Sequence, residues 1–593
     1  MRLTFLFCLS TVLWAAPDGA DLYTKNCAVC HEALPPLQNR VAMKEMQPLY
    51  IMRALNTGAM RKLGASLSAA DSTAIAEWIT EKKLNLDVAK AGTCAGHAPS
   101  SFAGPQWNGW GVDLENSRFQ TAQAAGLSAD QIPQLKLKWA FGFPGGFNTF
   151  SQPTVAGGRV FVGGPEGVVY SLDAQTGCTY WNFDAGAGVR SAITIGPGDI
   201  AYFGDLHGNV FSLDANTGKQ LWKVQVDDYP SARITGAPKL YQGRLFVPVS
   251  SREEWHSADP RFECCKFRGS VTALDATTGK QVWKTFMIAE PARPLAKRKG
   301  TQLWGPSGVG VWSSPTIDVK RGVLYVGTGD SYSEPAAPLS DSIVALDLNS
   351  GKVVWSQQLT VGDAFNGNCL QQNQNTCPEK AGPDSDFGSS PILHSLPSGK
   401  RVILAGQKSG VMHALDPDNK GKVLWQTRLS EASMLGGIQW GPAADNSTVY
   451  AAISGLGLIP APEGVIPDPK AGGGIHAIQI STGEKLWSVL PAKDDCGELR
   501  RCSPAQSAAI TVIPGAVFSG SLDGHLRAYS AKDGKILWDY NTVHDYETVN
   551  KVPAKGGSLD GPGPVVVGGM LFVNSGYSYF NSLPGNVLLA FGF

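Results

Sequence analysis

The sequence predicts a mainly β fold, an eight-bladed β-propeller with tryptophan-docking motifs, preceded by a small all-α domain. Three observations predict it. A motif ending in Trp recurs seven times, two half-motifs stand at opposite ends of the repeat region, and a Cys-x-x-Cys-His sequence followed by helical periodicity precedes the repeats.

The repeat is clear at Val169, where Val-Tyr-Ser-Leu-Asp-Ala-Gln-Thr-Gly-Cys-Thr-Tyr leads to Trp181, and matching segments end at Trp222, Trp283, Trp355, Trp425, Trp487 and Trp538. The clearest copies keep Ala/Ser-Leu-Asp-x-x-Thr-Gly-Lys-x-x-Trp, as from Ala273 to Trp283. Each copy reads as a β-hairpin: an alternating strand, a turn whose Gly supplies φ > 0, and a second strand ending on a Trp that packs against a neighbour. A single hairpin of this kind cannot bury its own faces. Spacings of 41 to 72 residues suit four-stranded blades with loops inserted on one side. Val587-Leu588-Leu589-Ala590-Phe591 is a first half without its Trp, and Leu135 to Trp139 is a Trp strand without its first half. Joining them makes an eighth blade and removes the free sheet edges.

Cys27-Ala28-Val29-Cys30-His31 is the signature of covalent haem c attachment. Two thiols one helical turn apart add to the haem vinyl groups, and His31 stands beneath the iron as proximal ligand. Met60 is the favoured sixth ligand, because Thr57-Gly58-Ala59-Met60 is a loop just before a helix; Met43, Met46 and Met52 are the alternatives. Ser68 with Asp71 caps the next helix, and Ile75, Trp78 and Ile79 share one face of it. The expected organisation is a signal peptide at 1–16, a cytochrome c domain at 20–86, an Ala/Gly/Pro-rich linker at 87–106 and the propeller at 107–593.

Lys+Arg and Asp+Glu number 50 each, so the neutral chain carries no electrostatic footprint for nucleic acid or an anionic membrane. Met1 and Arg2 precede an apolar run from Leu3 to Trp14, too short to span a bilayer, and Ala15-Ala16 offers small residues for cleavage. No later run approaches the roughly 20 apolar residues of a membrane helix. A soluble, exported, periplasmic protein without a membrane span is therefore expected. Setting aside Cys8, Cys27 and Cys30 leaves an even number of cysteines, which suits disulfides in an oxidising compartment. Cys369 and Cys377, and Cys496 and Cys502, could each staple their own loop; Cys94 would then pair with Cys178 by elimination, with free buried thiols as the alternative.

The haem motif, the Trp repeats, Trp107-Asn-Gly-Trp110-Gly-Val-Asp, Asn116-Ser-Arg118-Phe119 and the closing Gly556-Gly-Ser-Leu-Asp-Gly-Pro-Gly-Pro564 together resemble the eight-bladed quinohaemoprotein alcohol dehydrogenases. The resemblance covers essentially the whole mature chain. It implies pyrroloquinoline quinone (PQQ), one covalent haem c and a calcium ion as cofactors.

Matched segment by segment, it also implies site residues. Trp312 would be the aromatic platform beneath the quinone. Asp330 stands where the family places a calcium-binding Asn, and remains a hard oxygen donor. Glu254 is in register with the family's calcium-binding Glu, with Glu263 competing. Asp384 and Asp386 share the catalytic-base loop, Asp384 first, and Asp384 would also touch the metal. Lys408 would hydrogen-bond the reactive quinone carbonyl, while Arg190, Thr235, Gln439 and Trp440 would face the quinone. Related enzymes carry a vicinal disulfide on a different blade, which leaves the state of Cys264 and Cys265 open.

The implied activity oxidises secondary hydroxyls of polyvinyl alcohol or a similar polyol to ketones. The Asp base takes the hydroxyl proton as hydride leaves, and haem relays electrons singly to an external cytochrome c. A quinohaemoprotein acting on a different small or aromatic alcohol is the second reading. A non-catalytic propeller scaffold is the third, but it gives the haem motif, Trp312 and the acidic residues no purpose.

Overall fold

Each repeat tryptophan occupies one register position of an antiparallel sheet: Trp181 faces Ser171, Trp283 faces Ala273, Trp538 faces Ala528 and Trp139 faces Ala590, with a register shift beside each. The computed structural model describes residues 17–32, 40–44, 46–56, 60–84, 92–96, 101–259, 262–433, 435–462, 464–492 and 495–593. The chain divides into two compact units, Met1–Leu86 and Asp87–Phe593. The expected signal peptide lies outside the described residues.

The second unit is an eight-bladed propeller. Its first blade is Thr154–Ala156, Arg159–Gly163, Val168–Asp173 and Thr179–Asp184, from the axis outward. The eighth is Val565–Val567, Met570–Ser575 and Val587–Gly592, completed by Lys136–Gly142 from the other end of the repeat region. Closure therefore joins the two half-motifs.

Neighbouring blades lock through the tryptophans. Trp139 Nε1 donates to the Ala174 carbonyl at 3.1 Å, Trp181 to Ala215 at 3.0 Å and Trp425 to Ile480 at 2.8 Å, each acceptor lying in the hairpin turn of the next blade. Gly177, at φ 73°, belongs to such a turn; a Cβ there would come within 2.7 Å of the Trp139 ring. Glycine thus meets two demands at once, the left-handed turn and the close approach of the indole.

One segment, 107–120, is bonded to the innermost strand of every blade. Trp107 exchanges backbone hydrogen bonds with Val155, and Asn108 pins Ile195. Lys239 Nζ donates to the Asp113 carbonyl and to Asn116 Oδ1. Backbone amides of Ile317, Leu393, Ala444 and Val512 donate to the carbonyls of Leu114, Glu115, Ser117 and Arg118, and Gln120 Nε2 reaches the Val566 carbonyl. Innermost strands otherwise present an unpaired edge to the axis, and this segment satisfies it. Arg118 is fully buried there, donating to the carbonyls of Trp110, Ile510 and Pro562 and to the side chains of Gln152 and Thr511.

The expected linker belongs to the second unit, and its described parts are tied to the first blade rather than hanging free. Thr93 bridges to Thr179, Cys94 is bonded to Cys178, and the Phe102 ring lies 5.9 Å from Phe161. The Cys94–Cys178 pairing was expected by elimination, whereas composition gave no sign of the Thr93 and Phe102 contacts. Cys369–Cys377 and Cys496–Cys502 are also bonded.

In the first unit, Asp18 caps the helix Gly19–Asn26, and a capping box between Ser68 and Asp71 starts the helix Ala69–Thr80. The two pack where Gly19 admits Ala74 and Trp78, which any side chain at 19 would strike. Ile75 and Ile79 are buried, while Trp78 is half-buried beside Tyr23 and under the Arg40 guanidinium. Among the described residues no helix is long and apolar enough to cross a membrane.

Candidate active site

Antiparallel strands bring two kinds of loop to the same end of every blade: the turn after the second strand and the segment entering the first. Turns of the first kind carry Glu254, Asp330 and Lys408, following Arg244–Ser251, Val323–Gly327 and Arg401–Gly406. Entry segments carry Arg190, Thr235, Trp312, Asp384, Asp386, Gln439 and Trp440. All ten residues singled out in the propeller sequence thus open onto one end of the funnel.

The carboxylates of Asp330, Asp384 and Asp386 converge, with one oxygen from each lying within 4.8 Å of the others. Asp386 Oδ1 accepts the Asp330 backbone N–H at 2.7 Å, and Asp330 Oδ2 accepts that of Phe365 at 3.1 Å. Asp330 Oδ1 is buried without a partner among the described residues. Lys408 Nζ lies 2.6 Å from Asp384 Oδ1 and 3.3 Å from Asp386 Oδ2.

Burial raises the pKa of Glu254 well above the usual carboxylate range, and the charges of Asp384 and Asp386 add to it while Lys408 opposes them. Burial does the same to Asp330, with Asp386 and Glu254 adding their repulsion. Asp384 is pushed up to about 7, chiefly by burial, against the attraction of Lys408. Burial works against the Lys408 ammonium, yet Asp384, Asp386 and Glu254 hold its pKa well above that of a free lysine. Four carboxylates around one ammonium form an electron-rich pocket of hard oxygen donors, the donor set that calcium prefers.

Neighbouring acids are otherwise engaged. Glu253 is buried and accepts from the Tyr229 hydroxyl and from the backbone N–H groups of Lys266 and Phe267. Glu263 is exposed, accepting from Trp304 Nε1 and paired with Lys266. Of these three glutamates, it is Glu254 whose pKa the charges of Asp384 and Asp386 raise.

The Trp312 indole N–H is buried without a partner among the described residues. A Cβ on Gly329 would lie 2.7 Å from that nitrogen and 2.5 Å from Asp386 Oδ1, so glycine leaves the space between platform and carboxylates open. Thr235 Oγ1 donates to the Trp312 carbonyl and contacts Ser250 Oγ, fixing the platform from below rather than through its ring. The Arg190 guanidinium lies 4.4 Å from the Trp440 ring centroid, and Gln439 Oε1 is buried without a partner among the described residues. Aromatic faces, two cationic side chains and orphaned polar atoms fit a planar quinone bearing carboxylates.

Asp560 and Trp110 were not singled out as site residues by sequence reasoning. Asp560 sits on the entry segment of the eighth blade, where Ser507 and the Gly561 N–H each bond one of its oxygens and the other is buried without a partner among the described residues. Its place within the closing Gly/Pro segment was the available signal. Trp110 lies 6.5 Å from Trp440, linking the axial segment to the site. Cys264 and Cys265 are bonded to each other and buried, exchanging backbone hydrogen bonds with Trp304.

In the first unit the His31 N–H donates to the Cys27 carbonyl at 3.0 Å, placing the imidazole one turn beyond a buried thiol, as haem attachment requires. The Cys30 side chain and residues 57–59 lie outside the described residues. Met60 is half-buried, whereas Met43 and Met46 are buried.

Fold and sites together define a PQQ- and haem c-dependent alcohol dehydrogenase. The family model described as glucose/ethanol/alcohol dehydrogenase, beta-propeller domain, matches residues 225–373; that of cytochrome C oxidase, cbb3-type, subunit III, matches 15–79. The model of outer membrane protein assembly factor BamB matches 103–261, 407–556 and 471–588. The chain is 40% identical to the polyvinylalcohol dehydrogenase of Pseudomonas sp, over 97% of this chain and 93% of that one. It is 39% identical to that of Sphingopyxis sp. (strain 113P3), over 97% and 92%. The chain belongs to the polyvinylalcohol dehydrogenase family. The structure of quinohemoprotein alcohol dehydrogenase ADHIIG from Pseudomonas putida HK5 shares its fold, with a TM-score of 0.61 at 19% identity, covering 82% of this chain and 80% of that one.

Proposed function

We propose that the protein is a periplasmic dehydrogenase that oxidises secondary hydroxyls of polyvinyl alcohol or a similar polyol to ketones, passing the electrons through its haem to an external cytochrome c. The observation that carries this reading is the single ammonium of Lys408 set against Asp384 and Asp386, beside Asp330 and Glu254. Trp312, Arg190, Gln439 and Trp440 would hold PQQ, which supplies the two-electron oxidant when bound. Glu254, Asp330 and the aspartate loop, through Asp384, would hold calcium as a Lewis acid. Cys27, Cys30, His31 and Met60 would hold the haem.

The remaining work falls to the side chains. Asp386 is committed to bracing the Asp330 backbone, and its side chain is only 7% exposed. Asp384 is 21% exposed, which makes it the carboxylate a substrate hydroxyl can reach. A base with a pKa near 7 accepts a proton at neutral pH and can release it again. Lys408 orients that carboxylate through the 2.6 Å contact. The disulfides Cys94–Cys178, Cys369–Cys377 and Cys496–Cys502 support an oxidising compartment.

The test is reconstitution of apoprotein with PQQ, with and without calcium, assayed on polyvinyl alcohol. Oxidation that needs both supports the assignment; undiminished oxidation with neither overturns it.

A further inference from the structure

The loop between the strands Met570–Ser575 and Val587–Gly592 of the eighth blade runs across the funnel mouth. Tyr577 on this loop meets Trp440 edge-on at 5.8 Å and Phe150 at 6.0 Å. Further along, Phe580 meets Trp255 at 6.0 Å with the rings inclined by 63°. Trp255 immediately follows Glu254 on the short helix Glu253–His256, which belongs to the third blade. The third and eighth blades are three positions apart around the ring, so their side chains can touch only over the axis.

The loop is anchored rather than loose. Arg501 donates from Nε to the Asn581 carbonyl at 2.7 Å and from Nη2 to that of Ser582 at 3.0 Å, and the Cys496–Cys502 disulfide holds the segment bearing Arg501. The Asn581 amide donates to the Val465 carbonyl at 3.0 Å. Phe580 and Asn581 both adopt left-handed backbone, at φ 49° and 57°, a conformation non-glycine residues keep only when their surroundings hold it. Phe580 also packs beside Leu435, Leu456 and Leu522. An apolar strip continues outward through Ile459 and Val465, 37% and 51% exposed, on the hairpin Leu458–Ala461 and Gly464–Pro467.

We propose that Trp255 and Phe580 form an aromatic clasp that determines specificity, contacting chain methylenes beyond the carbons bonded to the reacting carbinol and so favouring a long-chain secondary alcohol over a small one. This rests on the reading of the funnel as an alcohol-oxidising site. A polyol backbone alternates CH₂ with CHOH, and an internal hydroxyl reaches Asp384 only if the carbons further along the chain pass the two rings. Apolar ring surface binds those carbons, whereas an alcohol of three carbons has nothing that extends to the clasp.

The test uses purified holoenzyme and two substrates, polyvinyl alcohol and 2-propanol. Phe580→Ala and Trp255→Ala are each expected to lower kcat/KM for the polymer about tenfold, mainly through KM, and to change that for 2-propanol less than twofold. Phe580→Tyr, which keeps the ring, should keep the wild-type ratio. An unchanged polymer to 2-propanol ratio in both alanine variants overturns the clasp, as does an equal fall on both substrates. If the wild-type enzyme oxidises neither alcohol, the underlying reading of the site fails and takes the clasp with it.

Discussion

The Lys408 ammonium lies 2.6 Å from the Asp384 carboxylate, and both residues are carried by loops of the fifth blade. In the proposed reading, one blade supplies both the proton acceptor and the cation that orients it. The third and fourth blades contribute Glu254 and Asp330, buried carboxyls whose pKa values burial raises.

That division of labour separates two variants that look alike in sequence. Asp384→Asn should lower kcat by about 10²- to 10⁴-fold even with PQQ and enough added calcium to fill the site, as loss of a general base does. Asp386→Asn should first weaken calcium binding, because it removes a negative charge beside Asp330 while its Oδ1 can still accept the Asp330 backbone N–H. Steady-state kinetics with metal analysis of the same samples checks this, and identical defects in both variants would contradict it.

Calcium binding should strengthen as pH rises toward neutrality. Burial raises the pKa values of Glu254, Asp330 and Asp384, with Asp384 near 7, so at lower pH these groups carry protons that a cation must displace. Above the raised pKa values the protons are gone and affinity should level off. Calorimetry in buffers of different ionisation enthalpy should record proton release below about pH 7; pH-independent affinity would oppose the proposed ligand set.

Arg118 should prove critical to stability although it is far from the charged pocket in function. Replacing it by Met leaves the carbonyls of Ile510 and Pro562 buried without their side-chain donor, and that of Trp110 with Gln152 Nε2 alone. The expected cost is about 3 kcal/mol or more, from several unsatisfied groups at once. Denaturant unfolding of the variant, read by tryptophan fluorescence, measures it, and a change under about 1 kcal/mol would show that the axial segment holds the blades weakly.

The blade architecture was legible in the sequence because every copy repeats one local device, a Gly turn followed by a docking Trp, and the register of Trp139 against Ala590 follows from it. The axial segment was visible only as a resemblance. Its residues bond to eight strands in turn, so it has no period of its own. Glu253 and Glu254 are adjacent, chemically identical and both buried, and only their partners separate the one that holds a loop from the one that faces the aspartates. Asp384 and Asp386 likewise differ by exposure, which spacing does not encode. Trp255 and Phe580 stand on blades three positions apart, and nothing local in the chain announces that they meet.

The measurement that tests the central claim most directly is the visible spectrum of the purified protein, loaded with PQQ and calcium, before and after anaerobic addition of polyvinyl alcohol. Reduction of the haem that requires both PQQ and polymer is expected, since substrate oxidation in the propeller and electron transfer to the cytochrome unit are read in one signal. A haem that stays oxidised with polyvinyl alcohol and with small secondary alcohols alike, in protein shown to contain bound PQQ, would contradict the account.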